Sequence, residues 1–375
     1  MARILGVTVE EEEAPIHGDV LEQVLSHVPL INLVPAFHVS KAWRTAVYSS
    51  LHSLNPPKPW LFFHRQTTRS SHDTVTFAYD PRSCMWIQIF HSFKYVSTLK
   101  SSNSNFLYDL SPSKLSFSFD PLKLTWYHVD APLVWRFDPI VAKVGDSIVI
   151  AGGACDFEDD PLAVEIYDMK NRKWRTCNSM PVILRDSAAS TWLSVTSTSG
   201  KLFVMEKRSG TTYFFNLESD NWSGPHDFRP DESCFYSVIG CLNDRLILVS
   251  LIGTPEEVKK VKIWEVEYSD NFSCKEIGEM PIELVRKLRS ETFGTCSINI
   301  CLGGNVVYIY NPVMTEVMVV CEVVNGGNGC HWSSLRDVIG GCGMETTVVT
   351  CGEVGIDDLT NQSYKLSVLI NGLQP

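Results

Sequence analysis

The sequence predicts two folds in series: a small all-α segment of three short helices, then an all-β propeller of six blades, with seven the alternative count. Three observations predict this. The apolar period changes from helical to strand-like at a proline cluster, Pro56, Pro57 and Pro59. Beyond it, one aromatic-to-tryptophan pattern returns at near-constant spacing. And 375 residues with 44% hydrophobic and 20% charged side chains are the proportions of a chain that buries a real core.

The chain divides into an acidic N-terminus at 1–14, expected to be disordered, a helical segment at 15–53, a proline-rich linker at 54–60 and the ring at 61–375. Val20, Leu21, Val24, Leu25 and Val28 form one stripe of a first helix. Asp19 is placed to cap it, with Glu22 completing a variant capping box. Asn32 is expected to cap a second helix carrying Leu33, Val34, Phe37 and Val39, and Ser40 a third carrying Trp43, Ala46, Val47 and Leu51. So small an element buries too little surface to stand alone and wants a partner. Three prolines in four residues continue neither helix nor sheet, hence the linker.

The repeat decides the second fold. Tyr79-Asp80 to Trp86, Phe119-Asp120 to Trp126, Tyr167-Asp168 to Trp174 and Phe215-Asn216 to Trp222 share one seven-residue offset and start 40, 48 and 48 residues apart. Asp or Asn ends a strand and opens a turn, and Trp starts the return strand. A residue recurring at one repeat position is core, so these tryptophans are expected between blades and not in a ligand cage. Degenerate copies are expected at Ile263, with Cys274 in the Trp position, and at Tyr310-Asn311-Pro312, with Val317 there. Strand-like runs at 346–351 and 364–370 are candidates to close the ring, since an open propeller leaves a sheet edge. The glycine-rich stretch 325–343 reads as loop.

The helical segment resembles the F-box, through Ile16-His17, Val20, Leu21, Val24, Leu25, Val28-Pro29, Leu33, Val34, Phe37, Val39-Ser40 and Trp43-Arg44. It departs where the motif opens on Leu-Pro, here Ile16-His17, and where Cys precedes the Trp, here Ser40. The ring resembles kelch repeats: a strand, Gly152-Gly153, Tyr167-Asp168 to Trp174, then Met180-Pro181. Together they resemble the plant F-box/kelch-repeat family. That resemblance implies the substrate-recognition subunit of an SCF-type ubiquitin ligase. Ile16, Val20, Leu21, Leu25, Val28, Pro29, Leu33, Val39 and Trp43 would meet or support a Skp-type adaptor, and through it cullin and RING subunits. Tyr79, Trp86, Phe119, Trp126, Gly152, Gly153, Tyr167, Trp174, Phe215 and Trp222 would be structural, and the ring would hold a target protein the sequence does not name.

No catalytic, cofactor or metal constellation emerges. There is no G-x-S-x-G, P-loop or G-x-G-x-x-G before a helix. Cys330-His331 has no second ligand pair at zinc spacing. The cluster Asp156, Glu158, Asp159 and Asp160 lacks the alternation of a calcium loop. The chain therefore reads as non-enzymatic, the alternatives being an F-box/kelch scaffold outside ubiquitin ligation or a propeller enzyme. A net charge of -11 without a basic block argues against nucleic acid and hints at a basic target surface. No run suffices to span a bilayer. Twelve scattered cysteines with no C-x-x-C and no leader-like start point to the cytosol or nucleus. Trp135-Arg136-Phe137 and Arg185-Asp186, between blades, are candidates for target contact.

Overall fold

The protein is described here by a computed structural model that covers residue 16 and residues 18–54, 57–67, 74–91, 98–154, 160–198, 200–268, 272–288, 297–324, 329–336, 345–360 and 364–369. It divides into two compact units: residues 1–58 with 354–362, and residues 59–353 with 363–375. Among the described residues no helix is long and apolar enough to cross a membrane. The expected disordered stretch 1–14 lies outside the described residues.

The first unit holds α1 (Gly18–Ser26), a 3-10 turn (Leu30–Asn32), α2 (Leu33–Phe37), α3 (Lys41–Ser49) and a closing π turn (Ser50–Leu54). Ser40 is extended, and its hydroxyl accepts the amide of Trp43 at 3.2 Å, so α3 starts on a satisfied donor. The other two expected caps differ. Asp19 lies inside the first turn of α1, where a negative charge meets the helix dipole. Asn32 is helical and makes no side-chain cap, because the 3-10 turn runs directly into α2. Glu22 accepts the Ser49 hydroxyl at 2.7 Å instead of a capping-box amide, tying α1 to the end of α3.

The second unit is a six-bladed ring. Five blades are four-stranded meanders. Blade 2 has strands Lys100–Asn103, Phe106–Ser111, Lys114–Ser118 and Tyr127–Asp130; blade 3 has Ile140–Val144, Ser147–Ala151, Val164–Asp168 and Lys173–Cys177. Blade 4 has Leu193–Ser197, Lys201–Glu206, Thr211–Asn216 and Asn221–Asp227; blade 5 has Cys234–Leu242, Arg245–Gly253, Val258–Tyr268 and Phe272–Glu279. Blade 6 has Asn299–Gly303, Val306–Asn311, Met314–Val323 and Cys330–Arg336, and α4 (Ile282–Leu288) packs on the third strands of blades 5 and 6. Blade 1 closes the ring with five strands in the order Glu345–Gly352, Trp60–Thr67, Thr74–Asp80, Met85–His91 and Tyr364–Leu369. The first strands of successive blades touch in an unbroken cycle. Both tail runs thus join the closing blade, one at each edge. The last helix, α5 (Ile356–Thr360), lies between them in sequence but belongs to the first unit.

The repeat residues explain their own recurrence. Tyr79, Tyr167 and Phe215 sit directly across the strand pair from Trp86, Trp174 and Trp222, with ring centroids 5.3, 5.3 and 5.2 Å apart. The acid or amide that follows each of these aromatics closes the turn. Asp168 accepts the amides of Lys170 and Asn171 at 2.8 and 2.9 Å, and Asn216 those of Glu218 and Ser219 at 2.9 and 3.4 Å. The indoles of Trp174 and Trp222 then donate to Asp130 O at 3.0 Å and Asn178 O at 3.2 Å, each 44 residues back on the preceding blade. The diglycine is a steric requirement. Gly152 and Gly153 have φ of +67° and +92°, and a Cβ would meet Ala188 O at 2.5 Å and Phe137 O at 2.7 Å.

Four expectations change. In blade 2 the ring pair is Phe117 and Tyr127, not Phe119 and Trp126, because the turn there spans eight residues, 119–126, instead of four. Phe119 stacks on Phe106, and the Lys143 ammonium of blade 3 lies over its face. In blade 5 Cys274 pairs with Val266, so the repeat mark falls there and not at Ile263; its Sγ still reaches back to Phe228 O at 3.9 Å, as the tryptophans do. In blade 6 Tyr310-Asn311 ends the second strand, one hairpin earlier than in the other blades. And part of the glycine-rich stretch, Cys330–Arg336, is the fourth strand of blade 6, paired along the long third strand.

Candidate functional site

Two surfaces present chemistry. The first is on the helical unit. Its core is Leu21, Leu25, Leu30, Leu33, Phe37, Ala46, Val47 and Leu51. α1 carries two adjacent apolar stripes four residues in period. Leu21 and Leu25, each 3% exposed, pack inward, while Val20 at 64% and Val24 at 51% face solvent. Ile16 and Val39 are also exposed, and Val28, Pro29 and Trp43 are half-buried. Of the nine residues expected to meet or support the adaptor, Leu21, Leu25 and Leu33 therefore stand in the interior, where α3 and α5 cover them. Val24 is the surface residue that list lacked; its position four after Val20 was the available signal.

The core of this unit is completed from the far end of the sequence. Val354, Ile356 and Leu359 are buried, and α5 packs on α2 and the 3-10 turn. The Tyr48 hydroxyl donates to Asp357 Oδ1 at 2.6 Å, a bond that raises the phenol pKa above the usual tyrosine range. The Phe37 ring meets Tyr48 edge-on at 5.3 Å and carries the Arg44 guanidinium at 4.8 Å. The strand-like runs expected in the tail, 346–351 and 364–370, flank this helix; one apolar pair three residues apart, Ile356 and Leu359, is its local helical signal.

The second surface is a cavity of about 810 Å³ in the ring, walled by first strands, by the loops that enter them and by the turns between second and third strands of blades 4 and 5. Its mouth joins three blades. Asp138, at φ +51° just before blade 3, accepts Ser190 Oγ and Thr191 Oγ1 at 2.6 Å each and the Thr191 amide at 3.1 Å. Lys100 of blade 2 lies 3.6 Å from the same carboxylate. Burial would raise the Asp138 pKa, but the hydrogen bonds from Ser190 and Thr191 hold it below the usual carboxylate range. Lys207 donates to Thr191 O at 2.9 Å, and burial lowers its pKa. The Arg208 guanidinium lies 5.4 Å from the centre of the Trp192 ring, which is 47% exposed.

The expected target contacts separate. Arg136 is 1% exposed: it bonds Ala163 O and the buried carboxylate of Glu165, both at 2.5 Å, so it braces the loop from beneath. Phe137 and Arg185 are exposed and Trp135 is half-buried, while the side chain of Asp186 lies outside the described residues. So do Asp156, Glu158 and Asp159. Among the described residues no group of three or more His, Cys, Asp or Glu is placed to hold a metal.

No family model matches the chain. It is 41% identical over 365 residues, 93% of this chain and 92% of that protein, to an F-box/kelch-repeat protein of Arabidopsis thaliana. Among solved structures it resembles YjhT, with a TM-score of 0.36 and 11% identity over 56% of this chain and 67% of that one. It also resembles a putative 6-phosphogluconolactonase from Bacteroides fragilis, with a TM-score of 0.43 and 14% identity over 77% and 84%. At those values neither structure bears on fold or chemistry.

Proposed function

This chain belongs to the plant F-box/kelch-repeat family, and from that membership we propose that it is the substrate-recognition subunit of an SCF-type ubiquitin ligase. The helical unit docks on a Skp-type adaptor, which carries the cullin and RING subunits, and the ring holds the target. The observation that carries the reading is the open stripe of Val20 and Val24, backed by a packed row of Leu21 and Leu25. A helix that buries one apolar row and leaves the adjacent row in water has a surface shaped for a second protein.

In this role the chain supplies no catalytic group and needs no cofactor. It contributes proximity: tethering makes ubiquitin transfer to a target lysine effectively intramolecular. A reducing compartment, cytosol or nucleus, belongs to the same proposal and is supported by the nine described cysteines, all of them free thiols.

The test is Val20→Glu with Val24→Glu. Both sites are exposed, so the variant keeps its fold, read by circular dichroism, and its affinity for a purified Skp-type adaptor falls by about 100-fold or more. Undiminished capture of the adaptor would sink the proposal. Capture of the adaptor without co-purifying cullin would instead place the chain outside ubiquitin ligation.

A further inference from the structure

We infer that the ring's cavity mouth is a docking site for an acidic, extended segment of the recruited protein, with a carboxylate seated at Lys207 and Arg208 and a neighbouring apolar residue lying on Trp192. The inference rests on the reading of the ring as target-binding and names the chemistry of what it takes.

The charge state of the mouth carries it. Glu206 in the lining and Asp138 behind it keep their negative charge, but their oxygens are already engaged by the protein itself. Asp138 takes two hydroxyls, an amide and Lys100. Glu206 takes the amides of Arg208 and Ser209 at 3.2 and 2.6 Å. The two cations beside them are not satisfied in the same way. Among the described residues, neither Lys207 nor Arg208 has a carboxylate within ion-pair distance. Lys207 spends one of its three donors on Thr191 O, and Arg208 lies over an aromatic face, its guanidinium making no hydrogen bond among the described residues. A chain of net charge -11 thus keeps Arg208, with no carboxylate in ion-pair range among the described residues, next to Lys207, which Asp138 attracts from beyond that range, in the lining of a cavity of about 810 Å³. That volume falls within the size range of ligand sites.

The mouth also selects for a chain over a free small anion. Glu256 lines the cavity from the turn between the second and third strands of blade 5. Its negative charge disfavours a compact, multiply charged anion more than a segment that brings a single carboxylate. Trp192 beside Arg208 offers an apolar face next to the charge, the pairing that interface hot spots favour. The site was half legible in sequence: Lys207-Arg208 and Trp192 are fifteen residues apart, and only the turn of blade 4 brings them together. An acidic segment also reverses the basic target surface that net charge alone suggested, because local pairing outweighs the sum of charges at contact distance.

The experiment pans a phage-displayed library of random dodecapeptides against the full-length protein, with the Arg208→Glu variant as counter-selection. The expected result is enrichment of peptides with Asp or Glu next to an apolar residue. A fluorescein-labelled selected peptide should then lose at least about tenfold in affinity to Arg208→Glu and to Lys207→Gln, and weaken steeply with salt. Arg208 is exposed, so its variant remains a valid test even where Lys207→Gln perturbs the loop. Enrichment without acidic bias, no enrichment at all, or equal binding to Arg208→Glu overturns the inference. Displacement of the peptide by citrate at lower concentration than by the unlabelled peptide also overturns it, in favour of a small-molecule site. Adaptor capture is read in parallel: a protein that captures adaptor but ignores acidic peptides loses this inference alone, and one that takes the peptide without adaptor loses the ligase reading alone.

Discussion

The ring and the helical unit face the same problem, apolar surface with too little chain to cover it, and resolve it in opposite ways. The ring pairs backbones. Trp60–Thr67 pairs along its length with Glu345–Gly352, and Met85–His91 with Tyr364–Leu369, so both edges of blade 1 are joined to the tail of the chain. The helical unit borrows one short helix from that same tail and still leaves Val20 and Val24 uncovered. Backbone pairing yields a closed, self-sufficient scaffold. Side-chain packing on short helices yields a small unit with one apolar face still open, the face proposed to meet a partner.

The sharpest way to break that contrast is Leu359→Asp. Leu359 is buried on α5, which packs on α2 and the 3-10 turn, elements that bury Leu30, Leu33 and Phe37, so a carboxylate there is placed in an apolar interior. The expected cost is about 3 kcal/mol or more, confined to the helical unit. Hydrogen exchange should accelerate in residues 18–54 and stay unchanged in the ring strands, with adaptor capture lost although no adaptor-facing residue is altered. Acceleration spread equally over both would show that the two units do not open separately.

The ring's seal has its own weak point, which pH can probe. His64 on Trp60–Thr67 lies between Thr76 Oγ1 at 3.1 Å and Thr350 Oγ1 at 3.0 Å, linking strands from the two ends of the chain. Burial, helped by His91, lowers its pKa from 6.5 to about 3. The folded imidazole therefore stays neutral while the unfolded one gains a proton below about pH 6.5. Stability is complete above that pH and falls as the pH drops toward 3, because the unfolded state binds more protons. Between pH 7 and 5 the loss amounts to about 2 kcal/mol from this residue. His64→Gln, which can still bond both threonines, should flatten the fall in melting temperature over that interval. His91, whose pKa burial lowers to about 4, keeps part of it. An unchanged slope in His64→Gln would move the acid sensitivity elsewhere in the molecule.

What the sequence made legible follows from distance along the chain. The turns after Asp80, Asp168 and Asn216 could be read because the side chain that ends the strand also closes the turn, within three residues. The Trp positions could be read because each turn has the same length. Where a turn changes length, as at 119–126, the pattern misplaced its partners. The closing strands, the His64–Thr350 bond and the capture of α5 by the helices could not be read, since each joins residues nearly the whole chain apart and none leaves a local period. The proposed adaptor face was half legible. The pairing of Val20 with Leu21 and Val24 with Leu25 shows that α1 is apolar on two adjacent rows, and only the packing of α3 decides which row stays open.

The smallest expected effect isolates one bond of the repeat. Trp222 does two things at once: its ring packs 5.2 Å from Phe215 within blade 4, and its indole N–H donates to Asn178 O on blade 3. Trp222→Phe keeps an aromatic ring and removes the donor. The Asn178 carbonyl is near solvent and can take water instead, so the loss should be about 1 kcal/mol, a drop of a few degrees in melting temperature. Blade 5 supports so modest a figure. There Cys274 stands in the Trp position and reaches Phe228 O only at 3.9 Å through a weak sulfur donor, yet the blade holds its place in the ring. A loss of 3 kcal/mol or more in Trp222→Phe would mean that the indole bond, and not strand pairing and ring packing, fixes the spacing between blades, and the account of the ring as a backbone-sealed scaffold would have to give way.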